Sequence, residues 1–320
     1  MALNRSPKWL RYSLCVALAA VLVWFCLGVG LGGWTNPSEI PEALWGIRWP
    51  RIAVALMVGG ALACSGAALQ ALFGNPLADP SLIGTSSGAA LGVVLVLAFG
   101  LGGMGVPLAA FVGAVAACLF VLSTHHLFGG GRLGLLIIGF VVSAFCGAVV
   151  SLILFLSDDM VLRSATVWLA GSLAGAGFVP IYYALAVMVV GWLVLLWVGR
   201  DLDCLMLGEE TALSMGVNLN RTKLVTVIGA ALLTGAAVSL SGVIGFVGMM
   251  VPNVLSAVCG GGRGRLMLLS GIVGALFLLL IDSASRHVAY PIDLPVGIVI
   301  SLLGAPFFLW LFLKGNKGRA

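Results

Sequence analysis

Few residues in this 320-residue chain have the type and spacing to do chemistry. The three histidines are His125, His126 and His287. Adjacent positions on a helix point about 100° apart, so His125 and His126 chelate one metal poorly. The seven cysteines (15, 26, 64, 118, 146, 204 and 259) contain no Cys-x-x-Cys and read as small apolar residues. Gly84-Thr85-Ser86-Ser87-Gly88 has the small-residue setting of a serine nucleophile turn, but its base would have to be His287 on another helix. Gly260-Gly261-Gly262-Arg263-Gly264-Arg265 lacks the lysine and hydroxyl of a phosphate loop. Asp282 stands four residues before Arg286, the spacing of a helical ion pair. The chain thus presents no catalytic residue, no metal site and no nucleotide site of its own. If ATP drives it, the nucleotide and its magnesium belong to another chain.

Two charged groupings call for a different chemistry. Glu209 and Glu210 open a short polar segment, where acids oppose the helix dipole. Leu205, Met206, Leu213 and Met215 give that segment an apolar side, and Gly216 ends it. An amphipathic helix of this kind suits docking to a partner. Arg48 and Arg51 flank Pro50 at the head of a long apolar run.

The elements that must carry these residues are membrane helices. The chain is 61% hydrophobic and 8% charged, with a mean hydropathy of +1.19, whereas soluble domains carry about 25% charged residues. The apolar runs are continuous, which excludes an alternating β-barrel. The basic residues sit at run ends, without the stripe of a nucleic-acid binder. A span needs about 20 residues. The pattern predicts an all-α integral membrane protein, a single transmembrane domain over 1–320, with about ten spans.

The expected spans are 12–33, 51–73, 81–101, 106–127, 132–157, 179–198, 224–239, 242–258 (interrupted at Pro252-Asn253), 266–285 and 294–313. A short interfacial helix falls within Met160–Gly177. Residues 1–11 and 314–320 form tails, and 201–217 is the long polar stretch. Ten spans put both termini on one side. Twelve of the sixteen basic residues then fall inside, and Arg48, Arg51, Arg163 and Arg286 fall outside. This asymmetry predicts cytoplasmic termini.

The break Asn75-Pro76-Leu77-Ala78-Asp79-Pro80 is framed by two prolines, which end one helix and start the next. Small residues before it, from Gly59 to Ala68, invite close packing. The steps from Gly59 to Ser65-Gly66 to Pro76 recur from Gly235 to Ser241-Gly242 to Pro252. Such an echo, entered from opposite sides, predicts an inverted internal repeat.

These residues resemble the FecCD-type permease subunits of bacterial ABC importers, which serve ferric siderophores, haem and cobalamin. The resemblance rests on Arg48-x-Pro50-Arg51, Ser65-Gly66-x-x-x-Gln70, Asn75-Pro76-Leu77-Ala78-Asp79-Pro80-x-x-x-Gly84, Leu207-Gly208-Glu209-x-x-Ala212-x-x-x-Gly216, Gly245-Phe246-Val247-Gly248, Leu294-Pro295-Val296-Gly297 and Gly304-Ala305-Pro306. It implies a type II importer fold, a second permease subunit (a homodimer), two cytoplasmic ATPases and an external binding protein, with no cofactor on this chain. By position it implies a gate at Asn75 and Leu77 and a second gate segment at Gly131, Arg132 and Leu133. It implies an ATPase-coupling helix at Leu207, Gly208, Glu209, Glu210, Ala212 and Gly216. Arg48, Arg51 and Arg286 are implied to meet acids of the binding protein. Asn253 and Ser256 stand where relatives carry His and Arg, and Asp293 where Glu is common. An ion-coupled secondary transporter is the alternative, although such carriers hold more midplane charges than this chain offers.

Overall fold

The computed structural model describes residues 8–30, 33–101, 105–176, 181–258, 260–288 and 292–317. Arg5 and Arg319 of the expected tails, Val179 at the expected start of the sixth span, and Cys259 lie outside these residues. The chain is almost wholly helical. Its helices are α1 (Lys8–Gly28), α2 (Glu42–Phe73), α3 (Thr85–Ala98), α4 (Val106–Phe128), α5 (Gly131–Leu156), α6 (Asp159–Leu169) and α7 (Ile181–Trp197). They continue with α8 (Gly199–Met206), α9 (Glu209–Ser214), α10 (Leu219–Ser241), α11 (Val247–Val258), α12 (Arg263–Val288) and α13 (Val296–Lys317). A two-stranded hairpin, β1 (Val29–Gly30) and β2 (Gly33–Trp34), follows α1. Among the described residues, five helices are long and apolar enough to cross a membrane, or six if α7 and α8, bent by 46°, form one span. Four shorter apolar helices accompany them.

Several boundaries differ from expectation for local reasons. The first span ends at Gly28, where the chain turns into the hairpin and Trp34 packs on the bare Gly28 backbone. α2 begins at Glu42 rather than Arg51, with Pro50 inside it. The carbonyl that Pro50 leaves without an amide is on exposed Gly46, where water can serve it. The third span starts as a 3-10 turn, Pro80–Ile83, and Gly84 at φ 79° separates it from α3. Pro252 does not interrupt a helix. It lies inside α11, which starts only at Val247. The carbonyl four residues earlier, on Gly248, accepts from the Gln70 side chain at 3.4 Å, so the bond lost to proline is replaced from α2.

The core is built around α2, 83% of whose apolar window is buried. It packs on α12, α10 and α11, while α10 packs on α4, α7 and α3. These pairings are reciprocal: α2 on α12 mirrors α10 on α4, and α11 on α2 mirrors α3 on α10. That is the packing of a two-fold repeat. The sequence echo is out of register with it, since Pro76 lies beyond α2 and Pro252 within α11. Glycines make the crossings possible. Cβ atoms added to Gly66, Gly59 or Gly88 would strike backbone carbonyls of Gly248, Gly274 and Gly113. At the middle of the α2–α10 crossing, Thr234 Oγ1 lies 3.4 Å from Ser65 Oγ.

Candidate functional site

The residues singled out in the sequence gather at the two ends of α2. About 23 residues separate Arg51 from Gly74, or roughly 34 Å at 1.5 Å per residue.

At the Arg51 end lies a buried ion cluster. Arg51 meets Asp282 through Nε and Nη2 at 3.1 and 2.8 Å, and Asp293 through Nη1 and Nη2 at 2.6 and 3.0 Å. Asp282 is 0% exposed and Arg51 13%. The expected Asp282–Arg286 pair is present at 3.5 Å. Arg286 also donates to the carbonyl of Val29 in the hairpin at 2.9 Å and to Ser283 Oγ at 3.2 Å. Arg48 donates to the carbonyls of Leu27 and Gly28 at 3.2 and 3.4 Å, closing the open end of α1. The three arginines are therefore together, but Arg51 and Arg286 spend their charge inside the chain. Asp282, the nearest candidate for an ion-coupling carboxylate, is held between two guanidinium groups. The sequence signal for Asp282 was its place in an apolar run; nothing local marked Asp293 as its companion.

At the other end, α2 closes on Gly74, whose φ of 60° forms the left-handed cap. Asn75 Oδ1 accepts from the amide of Leu77 at 2.9 Å and shapes the turn. Asp79 caps the 3-10 turn by accepting from Ser81 at 3.0 Å. Burial raises its carboxyl above the ordinary range, and hydrogen bonds from Ser81 and from the amide of Phe246 oppose that rise. Phe246 has φ 65°, the only positive value among the described non-glycine residues. It stands at the break before α11, packed on Gly304. Asn253 of α11 donates to the carbonyl of Pro76 at 2.6 Å and to that of Met249 at 2.8 Å. The residue that departs from the relatives' pattern thus ties α11 to the 75–77 turn.

The segment Gly131, Arg132 and Leu133 opens α5 beside this turn, after a glycine run. Leu207 and Gly208 form the elbow between α8 and α9. Glu209 and Glu210 occupy the first turn of α9, Ala212 is its buried anchor, and Gly216 follows at φ 83°. Arg132 Nε meets Glu209 Oε1 at 2.8 Å, and Lys223 Nζ lies 3.6 Å from the same oxygen. Leu205 is buried, contrary to its expected place on an open apolar side. Met206, Leu207, Leu213 and Met215 are exposed and form an apolar patch around α9. Asp203 holds the start of α12 by accepting from the amide of Arg263 at 2.6 Å. This end brings together a turn, a helix start and an exposed apolar patch; among the described residues, no three His, Cys, Asp or Glu side chains converge on a metal site.

Comparison with known proteins gives this arrangement a lineage. The chain is 38% identical over 293 residues to the hemin transport system permease protein of Yersinia pestis, covering 89% of this chain and 88% of that one. It is 38% identical over 325 residues to the vitamin B12 import system permease protein of Vibrio cholerae, covering 98% and 97%. It is 37% identical over 315 residues to a protein of Helicobacter pylori named as an iron chelatin transport system permease, covering 94% and 96%. Among solved structures, an ABC transporter assigned to the metal-chelate type, in an inward-facing conformation, superposes with a TM-score of 0.86 at 30% identity, over 93% of this chain and 97% of that one. The model of the FecCD transport family matches residues 15–314, so the chain belongs to that family and is a permease of the ABC transporter class.

Proposed function

We propose that this chain forms, with a second copy of itself, the translocation path of a binding-protein-dependent importer for a ferric siderophore, haem or cobalamin. It sits in the bacterial inner membrane with both termini in the cytoplasm, and two ATPase subunits dock from that side. The cargo class is supported by the three permeases named above for hemin, vitamin B12 and iron chelatin. The observation that carries the reading is the exposed apolar patch of Leu207, Leu213 and Met215 on a short helix that leans on the 131–133 segment. An apolar surface on a polar segment suits a protein partner. ATP binding on that partner would pull α9, and the two permease copies would rock to open the path to each side in turn. Asn75 and Leu77 with Gly131, Arg132 and Leu133 would close the path at the ATPase side.

The Arg51 end would receive the binding protein. Arg48, Arg51 and Arg286 remain the basic groups there, and exposed pairs with a partner would contribute about 0–1 kcal/mol each. Because Asp282 and Asp293 already hold two of the three, docking would rest on re-sharing these charges.

The test is uptake into proteoliposomes that contain the chain, its partner ATPase and the cognate binding protein. Leu213→Asp with Met215→Asp should leave insertion intact yet lower ATPase co-purification and ATP-driven uptake roughly tenfold or more, as expected when an apolar hot spot is charged. Unchanged uptake rejects α9 as the docking element. Uptake that persists with a hydrolysis-dead ATPase and collapses with an ionophore replaces the reading with a secondary transporter.

A further inference from the structure

We propose that Arg132 is the positioning residue that transmits movement of α9 to the turn at the end of α2; this rests on the coupling role just assigned to α9. Arg132 is the second residue of α5. The three residues before Leu133's neighbour Arg132 are glycines with positive φ, 72° at Gly129, 105° at Gly130 and 63° at Gly131. Such a run has no side chains to fix its shape. The start of α5 is held by what Arg132 grips and, on its other side, by the ring of His125, whose Nε2 lies 2.8 Å from the carbonyl of Gly131. That side chain reaches three segments at once. Nε meets Glu209 Oε1 of α9 at 2.8 Å. Nη2 donates to the carbonyl of Leu205, at the end of α8, at 3.4 Å. Nη1 lies against Gly74, where an added Cβ would stand 3.3 Å away.

The strength of the pair points to a positional role. Arg132 is 21% exposed and Glu209 41%, and a pair this open adds little to stability. Its geometry is another matter. When α9 moves, Glu209 moves the guanidinium, and the guanidinium passes that movement to Gly74, to the carbonyl of Leu205 and to the start of α5. The turn at 75–77, pinned on its far side by Asn253 at 2.6 Å, then takes up the displacement. Lys223 holds the same carboxylate oxygen at 3.6 Å, so Glu209 keeps a charge partner in α10 when it leaves Arg132.

The experiment reads cargo transported per ATP hydrolysed, in proteoliposomes with ATPase and binding protein. Arg132→Gln should lower the transported-to-hydrolysed ratio roughly tenfold. Glu209→Gln, which lies in the docking helix itself, should lower that ratio as much whatever it does to ATPase assembly, and in this ratio the double variant should be no worse than either single, the mark of two residues acting through one contact. Arg132→Lys keeps the charge but loses the fork, and should restore the ratio in part. Multiplying effects in the double variant would overturn the link. So would hydrolysis and uptake falling together at a constant ratio, which would make Arg132 a docking residue. If the unaltered protein shows no ATP-driven uptake, the importer reading itself has failed and the link is rejected with it.

Discussion

Replacing Asp282 with alanine is expected to destabilise the folded chain by about 3–5 kcal/mol, the usual consequence of removing one partner from a buried ion pair. The side chain is fully buried and serves two arginines. Without it, Arg51 keeps only Asp293, and Arg286 keeps two backbone carbonyls and a hydroxyl, none of them charged. Two buried cations would then face each other across one remaining carboxylate. Three elements would loosen together, because the cluster joins α2, α12 and the segment before α13, and Arg286 adds the hairpin. Asp293→Ala should be milder, since that carboxylate is 29% exposed and water can replace it. Removing Arg51 as well, by Arg51→Met with Asp282→Leu, should bring no rescue, because buried Arg286 still lacks its carboxylate and Asp293 then lacks its guanidinium. Thermal unfolding in detergent ranks the variants, and an Asp282→Ala chain that melts with the unaltered protein would show that the cluster holds nothing together.

The second large effect is expected from a single methyl group. Gly66→Ala would place Cβ against the carbonyl of Gly248, which is backbone and cannot rotate away. α11 would have to retreat from α2. The same carbonyl accepts from Gln70, as does that of Met249 at 3.2 Å, so the retreat would strip the support of the proline-bearing helix. Overpacking costs about 1–3 kcal/mol and an unsatisfied buried carbonyl about 1–3 more. Gly46→Ala is the control. It lies in the exposed first part of the same helix, where an added Cβ meets nothing within 4 Å, and it should stabilise the chain by about 0.5–1 kcal/mol. A Gly66→Ala chain with an unshifted unfolding midpoint would contradict the close approach of these two helices.

Much of this arrangement was legible in the sequence because it is encoded locally. Continuous apolar runs mark helices whatever their partners, and Pro76 and Pro80 marked the turn between them. The acids at 209 and 210 and the glycine at 216 located α9 almost to the residue. What escaped was long-range. Pro252 reads as a helix break until Gln70, 178 positions from the bonded carbonyl of Gly248, supplies the missing hydrogen bond. Arg51 reads as an outward cation until Asp282 and Asp293 are brought beside it. The pairing of Arg132 with Glu209 joins residues 77 positions apart, and no periodicity connects them. Asn253 attracted notice beside Pro252 as a break and as a departure from relatives, and its bond to Pro76 explains why an amide is useful there.

The shortness of two helices bears on how the chain enters a bilayer at all. α3 has 14 residues and α11 has 12, so they extend about 21 and 18 Å against a hydrocarbon core of about 30 Å. Neither can be handed to lipid alone as the ribosome delivers it. α3 is wrapped by α4, α5 and α10, and α11 by α2, α12 and α13. Each short helix must therefore wait at the translocon for the longer helix that follows it, α4 or α12, and enter as half of a hairpin. Insertion in pairs is thus the expected order, and a ribosome stalled after α11 but before α12 is expected to leave that segment outside the membrane.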